Sequence, residues 1–298
     1  MTLDIGYLRN WVGREIVETD LATADPVRRF AALLDREDTL PEQGQDLPPL
    51  THWLYFLPHY KQADLKSDGH GKLGGWLPPV PLPRRMFGGA RLTFHAPLRV
   101  GDAMTRRSKV IKLDLKEGRS GKLVFLTLEQ EISTRRGVAI TELQDIVYRD
   151  EAKPQSSSNK EPPTAPALET LPVAQWSREI DPHPTLLFRF SALTFNAHRI
   201  HYDVIYAREV EGYRDLVVHG PLTATLLVDL LHRKAPKKPV RQFNFRGLSP
   251  LFAGSKFLVC AGPWQDNGAI ELWAQNAAGE RTTVAQIVVD AVTNTSGG

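Results

Sequence analysis

Apolar residues recur with helical spacing across Ala24-Asp-Pro-Val-Arg-Arg-Phe-Ala-Ala-Leu-Leu34, and this predicts a first helix. Strand-like runs follow at residues 90–94, 108–113, 123–132 and 139–148. Val100-Gly-Asp102 and Glu117-Gly-Arg-Ser-Gly121 supply the turns between them. Further on the scheme repeats. Pro221-Leu-Thr-Ala-Thr-Leu-Leu-Val-Asp-Leu-Leu231 predicts an apolar helix, with Gly220 just before it and a proline in its first turn. Strands are expected at residues 240–245, 256–261, 269–275 and 282–290, joined by glycine-bearing turns at 252–254, 266–268 and 278–279. One helix followed by several antiparallel strands is an α+β pattern. A central helix wrapped by such a sheet is the hot-dog arrangement, and two in one chain make a double hot-dog.

Residues 151–168, rich in Pro, Ser and charge, hold almost nothing that could be buried and read as a linker. They divide the chain into expected domains at 1–150 and 169–298, similar enough in size to suggest an internal duplication. The 298 residues suffice for two real cores. A net charge of +3 is too small to argue for nucleic acid, and neither demands nor excludes an anionic small molecule. No stretch approaches the roughly 20 apolar residues of a membrane span, and Met1-Thr-Leu-Asp-Ile-Gly does not open like a signal peptide. The single cysteine, Cys260, permits no intramolecular disulfide and lies in an apolar run that suits core packing. A cytoplasmic location is expected, with a mitochondrial matrix address open beside it.

The densest polar cluster on an apolar background is Phe190-Ser-Ala-Leu-Thr-Phe-Asn-Ala-His-Arg-Ile-His-Tyr-Asp203. Just downstream, Val217-Val-His-Gly220 opens the apolar helix. Histidine suits acid–base work because its unperturbed pKa is near 6.5. A helix start offers backbone N–H groups to a developing oxyanion, and Gly220 would allow close approach, although Pro221 has no N–H to give. Plainer roles stand beside these. Asn196 can cap a turn, His219 can bond backbone before the helix, and Tyr202 can pack. His198 and His201 are three apart, but no carboxylate or cysteine pattern completes a metal set, so no metal or redox cofactor is expected.

Asn196 to His201, with Tyr202 and Asp203 following, resembles the motif Gly-Asp-x-Asn-Pro-Ile/Leu-His-x-Asp of the MaoC-like (R)-specific enoyl-thioester hydratases. Val218-His-Gly220 resembles the His-Gly that opens their central helix. Phe188 to Asp203, Glu211-Gly-Tyr213 and Val217 to Leu222 look more specifically like the group of hydroxyacyl-thioester dehydratase type 2 and mesaconyl- and itaconyl-CoA hydratases. The segments His52–Pro58, Gly74–Met86 and Pro97–Asp102 resemble that group's N-terminal part. The resemblance implies reversible hydration of an α,β-unsaturated acyl thioester, with mesaconyl-CoA or itaconyl-CoA as the sharper expectation and CoA entering only as part of the substrate. It implies His201 as catalytic histidine and Gly220 as backbone donor to the thioester oxygen. Asn196 stands where the superfamily has aspartate, so it could hold water but not take its proton, leaving proton handling to His201. His198 and Arg199 occupy the superfamily's Asn and Pro positions. Further pairing as a homodimer is common in the family.

A CoA phosphate or a second acyl carboxylate would favour arginine. Arg84, Arg85, Arg199 and Arg246 are the candidates, and they complete a substrate-binding set with His198, Tyr202 and His219. A solvated face is the plainer reading of each arginine. Gly69-His-Gly-Lys-Leu-Gly-Gly75 lacks the features of a phosphate loop and reads as a flexible loop over a binding groove. Three rival readings keep the fold: dehydration of (R)-3-hydroxyacyl thioesters in fatty-acid synthesis, thioester hydrolysis, and non-catalytic acyl-CoA binding.

Overall fold

The computed structural model describes residues 3–118, 121–150, 173–236 and 238–290. The linker expected at 151–168 lies outside the described residues. A short helix α1 (Ile5–Leu8) precedes strand β1 (Glu15–Leu21) and helix α2 (Ala24–Leu33). Strands β2 (Arg84–Phe94), β3 (Ala103–Gly118), β4 (Gly121–Thr134) and β5 (Gly137–Arg149) complete the first half. The second half runs β6 (Trp176–Ile180), α3 (Pro184–Leu193), α4 (Gly220–Lys234), β7 (Val240–Gly247), β8 (Phe257–Trp264), β9 (Ala269–Gln275) and β10 (Arg281–Val289).

The ten strands form one antiparallel sheet in the order β1-β3-β4-β5-β2-β7-β10-β9-β8-β6. Read outward from the β2–β7 seam, both halves have the same connectivity, which is the α+β double hot-dog architecture. At the seam Gly89 pairs with Arg246 and Thr93 with Gln242. A Cβ on Gly89 would stand 2.2 Å from the Phe245 carbonyl oxygen, so a side chain there would push the halves apart.

The duplication survives in sequence. Arg29-Phe-Ala-Ala-Leu33 ends α2 and Arg189-Phe-Ser-Ala-Leu193 ends α3. Both helices exit through a left-handed residue, Asp35 (φ 55°) and Phe195 (φ 47°). In both, the next N–H reaches back five residues, Arg36 to the Ala31 carbonyl at 2.9 Å and Asn196 to the Ser191 carbonyl at 2.8 Å. The apolar patterns marked eight strands and two helices. They missed α1, β1, β6 and α3: α1 has only four residues, β1 and β6 are short and carry charge, and β1 alternates between exposed and half-buried positions.

Helix α4 is buried continuously from Leu222 to Leu231 and packs on β6, β8, β9, β10 and β2. Its five buried leucines contribute on the order of 10 kcal/mol, much of it offset by ordering entropy. In the first half α2 packs instead against α3 and the 3-10 turn Thr51–Leu54. Among the described residues, the stretch before β2 that corresponds to α4 is residues 35–83, which hold only two 3-10 turns. Asp229 of α4, almost fully buried, ties the halves. It accepts from Arg178 Nη1 at 2.7 Å and Arg233 Nε at 2.8 Å, and Arg36 of the first half reaches it at 3.3 Å.

Candidate active site

The left-handed Phe195 turns the chain sharply after α3 and hands it to Asn196. The Asn196 side-chain oxygen accepts from the His198 backbone N–H at 3.0 Å, an Asx turn that sets up the 3-10 turn Arg199–His201. This geometry buries His198 and His201 and leaves Tyr202 exposed, its hydroxyl donating to the Ala197 carbonyl at 3.0 Å. Arg199 is bound to its own neighbourhood. Its Nε and Nη2 donate to Asp203 at 3.1 and 2.7 Å, and its Nη1 to the Ser67 carbonyl at 3.1 Å. Asp203 in turn accepts from the Tyr206 N–H at 2.9 Å and so starts the π-helical turn Tyr206–Val210.

His201 Nδ1–H donates to the Val217 carbonyl at 2.7 Å. A carbonyl can only accept, so the proton sits on Nδ1 and Nε2 carries the lone pair. The ring stacks on His219, centroids 3.6 Å apart, and meets the His198 ring edge-on at 5.4 Å. His219 Nε2 shares a hydrogen bond of 2.8 Å with Ser191 Oγ of α3. On the far side His198 packs at 4.2 Å against a fourth imidazole, His70, from the first half. Four rings thus stand in a row, His70, His198, His201 and His219.

All four are held neutral at pH 7. Burial pushes His201 down to about 4, with the Val217 hydrogen bond opposing and His70, wherever it is protonated, adding. Burial also drives His198 down to about 2, helped by His70 and His201. His219 and His70 are lowered chiefly by the same loss of water. For Asp68, burial raises the carboxyl, but hydrogen bonds from His70 and Lys66 outweigh it and hold the group well below the carboxylate range.

Sequence reasoning missed His70, Asp68 and Ser191. The Gly69–Gly75 loop, expected to be flexible, is in its first part docked on the site. Arg199 N–H donates to the Asp68 carbonyl at 3.0 Å, and a Cβ on Gly69 (φ +92°) would lie 1.7 Å from the Ala197 carbonyl oxygen. Asp68 is held by Lys66 Nζ at 2.8 Å and the His70 N–H at 2.9 Å. No spacing in the sequence links His70 to His198, since they meet only through this cross-half contact. Ser191 had a signal in the repeat, where it replaces Ala31 of the first copy.

Gly220 is the first residue of α4 and follows His219 directly. A Cβ there would meet Phe87 at ordinary contact, 3.8 Å, so the fold does not itself demand glycine. The first i to i−4 bond at this end runs from Thr223 to His219, which leaves the N–H groups of Gly220 and Leu222 for other acceptors. The arginines separate. Arg84 is buried and faces Glu211 at 3.4 Å, Arg246 is exposed at the seam, and Arg85 lies half-buried on β2. The fold therefore gathers His198, His201, His219 and Gly220. Asn196 supports the turn behind them, and Tyr202 and Arg246 face solvent.

This double hot-dog fold is shared with solved MaoC-like dehydratases. Among solved structures, a MaoC-like dehydratase from Phytophthora capsici matches with a TM-score of 0.71 at 14% identity, covering 97% of this chain and 99% of that one. A double-hotdog protein of Mycobacterium tuberculosis matches at 0.56 and 14% identity, over 93% and 96% of the two chains. The family model for hydroxyacyl-thioester dehydratase type 2 matches residues 50–253. The mesaconyl-C(4)-CoA hydratase of Chloroflexus aurantiacus is 45% identical, covering 93% of this chain and 96% of that protein. The mitochondrial hydroxyacyl-thioester dehydratase type 2 of Schizosaccharomyces pombe is 27% identical, over 83% and 89%. The chain belongs to the hydroxyacyl-thioester dehydratase type 2 family, and it is a hydro-lyase.

Proposed function

We propose that this hydro-lyase adds water to a methyl-branched dicarboxylic enoyl-CoA, mesaconate joined to CoA through its C4 carboxyl, with His201 as the acid–base group. The lone pair fixed on His201 Nε2 carries the reading. Nε2 takes a proton from water as the water oxygen bonds to C3. The double-bond electrons move onto the thioester oxygen, where N–H groups at the start of α4, Gly220 first, offset the charge. The imidazolium then returns its proton to C2 and the enolate collapses to the 3-hydroxyacyl thioester. A ring kept neutral by burial is ready as base at pH 7. Its positive form is disfavoured by that same burial, which hastens the return of the proton. Asn196 orders the loop that holds His198 and His201. The substrate assignment is supported by the 45% identity to a mesaconyl-C(4)-CoA hydratase over almost the full length of both chains. We propose a cytoplasmic location, in keeping with the bacterial source of the 45% identical relative. Separately, no helix of the described residues is long and apolar enough to cross a membrane.

The test is turnover of mesaconyl-C4-CoA, itaconyl-CoA and crotonyl-CoA, followed by loss of enoyl-thioester absorbance, with a thiol reagent present in a parallel assay. Turnover of the mesaconyl thioester above the other two, with no free thiol released, is expected. Thiol release would mean hydrolysis instead. Activity confined to long (R)-3-hydroxyacyl groups on acyl carrier protein would replace the substrate assignment.

A further inference from the structure

Within the hydro-lyase reading above, we infer that Arg85 and Tyr148 form the binding site for the second carboxylate of a dicarboxylic acyl thioester. Four arginines were candidates for an anion. Arg84 already faces Glu211, Arg199 is engaged by Asp203 and the Ser67 carbonyl, and Arg246 lies exposed at the seam. Arg85 differs. It is half-buried, and among the described residues it makes no ion pair and no side-chain hydrogen bond. A guanidinium removed from water without a partner is costly, so the position calls for an anion.

What surrounds Arg85 fits a carboxylate. Arg85 stands directly across from Tyr148 in the β2–β5 register. Tyr148 is 1% exposed, and its hydroxyl is buried with no hydrogen-bond partner. Burial raises the phenol's pKa, so it stays a donor. A guanidinium fork and a phenolic O–H can together satisfy the two oxygens of one carboxylate. The nearby Asp68 carboxylate is already satisfied by Lys66 and His70, which leaves the Tyr148 hydroxyl and Arg85 unclaimed.

The place in the site matters as well. Arg85 and Phe87 are two apart on β2 and share one face, and the Phe87 ring lies beside Gly220, 3.9 Å from where a Cβ there would stand; the charge of Arg85 also reaches His70 and His198. The anion is therefore bound close to the reacting end of the substrate, whereas the CoA phosphates lie at the far end of the pantetheine arm. In a C4-linked mesaconyl thioester the second carboxylate is attached to C3, the carbon that water attacks. A carboxylate held here would fix the face of C3 presented to His201 and select against acyl chains that end in a methyl group.

Binding of two saturated thioesters tests this without turnover. Succinyl-CoA and butyryl-CoA have the same chain length and differ in a carboxylate against a methyl group. By titration calorimetry the wild type is expected to bind succinyl-CoA about 100-fold more tightly, as a half-buried charge-assisted pair predicts. Arg85→Gln should bring the ratio close to one, and Tyr148→Phe should cut it by about tenfold. Equal binding of the two by wild type overturns the carboxylate site while leaving the hydro-lyase reading intact. An undiminished ratio in Arg85→Gln also overturns it. Failure to bind either thioester overturns both. Should Arg85→Gln fail to fold, the ratio in Tyr148→Phe decides.

Discussion

The two halves bury histidines in opposite ways. In the first half His52 Nε2 contacts Glu142 at 3.0 Å, and the Trp53 indole N–H and Gln144 amide donate to the same carboxylate at 3.1 and 2.8 Å. Glu142 is 0% exposed, so its charge is spent entirely on internal partners. In the second half His201 touches a carbonyl and two other rings, and no carboxylate among the described residues contacts it. One nitrogen is fixed as donor and the other keeps its lone pair. The surroundings differ for a structural reason. After the shared strand, helix and left-handed exit, the second half builds α4, whose start lies next to His219, while the first half builds residues 35–83. That stretch supplies a loop, carrying Asp68 and His70, that docks on the other half's site. In the proposed mechanism the second half carries the reacting end and the first half forms its wall.

The contrast is open to attack by substitution. His201→Ala should lower kcat for enoyl-CoA hydration by about 10³-fold, in the range of lost general acid–base catalysis, with little change in stability. Glu142→Ala should do the reverse. It strips a fully buried partner from His52 and Trp53, and urea unfolding should show a loss of about 3–5 kcal/mol while kcat of the folded fraction stays within a few-fold. If Glu142→Ala abolished turnover in folded protein, the division of labour between the halves would be wrong. Gly69→Ala sharpens the cross-half contact. The new Cβ clashes with the Ala197 carbonyl and the backbone is left-handed, so about 1–3 kcal/mol should be lost, together with a fall in hydration rate as His70 leaves His198. Unchanged kinetics in that variant would make the loop a cover and no more.

Much of this was legible in the chain. The ten-residue run Leu222–Leu231 is apolar enough to announce a buried helix, and the periodicity of β9 gave its bounds, 269–275. The segment Asn196–His201 marked the candidate site because polar groups crowd an apolar background. The edge strand β1 was hidden because its apolar residues do not share a face: Val17 and Leu21 lie on the solvated side, while Glu18 and Asp20 stand with Ile16 on the half-buried one, and such inward charge is one way edges avoid further pairing. His70 was hidden for another reason. Its meaning depends on a contact across the two halves, and no local pattern encodes a partner 128 positions away. Asn196 was legible in its plainer role, as the oxygen that caps a turn.

The smallest effect concerns pH, and it follows from the four neutral rings. His201, His198, His219 and His70 all have folded pKa values below the unfolded value near 6.5. Between the two values the unfolded chain binds more protons, so stability rises with pH there. Their contribution is present in full above about pH 6.5 and is lost as pH falls toward the folded values, about 4 for His201. Glu211, raised by burial, works the other way and blunts the slope. Each histidine adds up to about 1.4 kcal/mol per pH unit. Urea unfolding at pH 7.0 and pH 5.5 should therefore give a clearly less stable protein at the lower pH, and His198→Leu should remove about one histidine's share of the difference. The first half gives a control, because Glu142→Ala should lower stability at both pH values and leave the slope of the second half in place. A stability that does not change between the two pH values would mean that the rings are hydrated in solution, and a hydrated His201 would titrate near 6.5 and lose its standing as a base poised well below neutral.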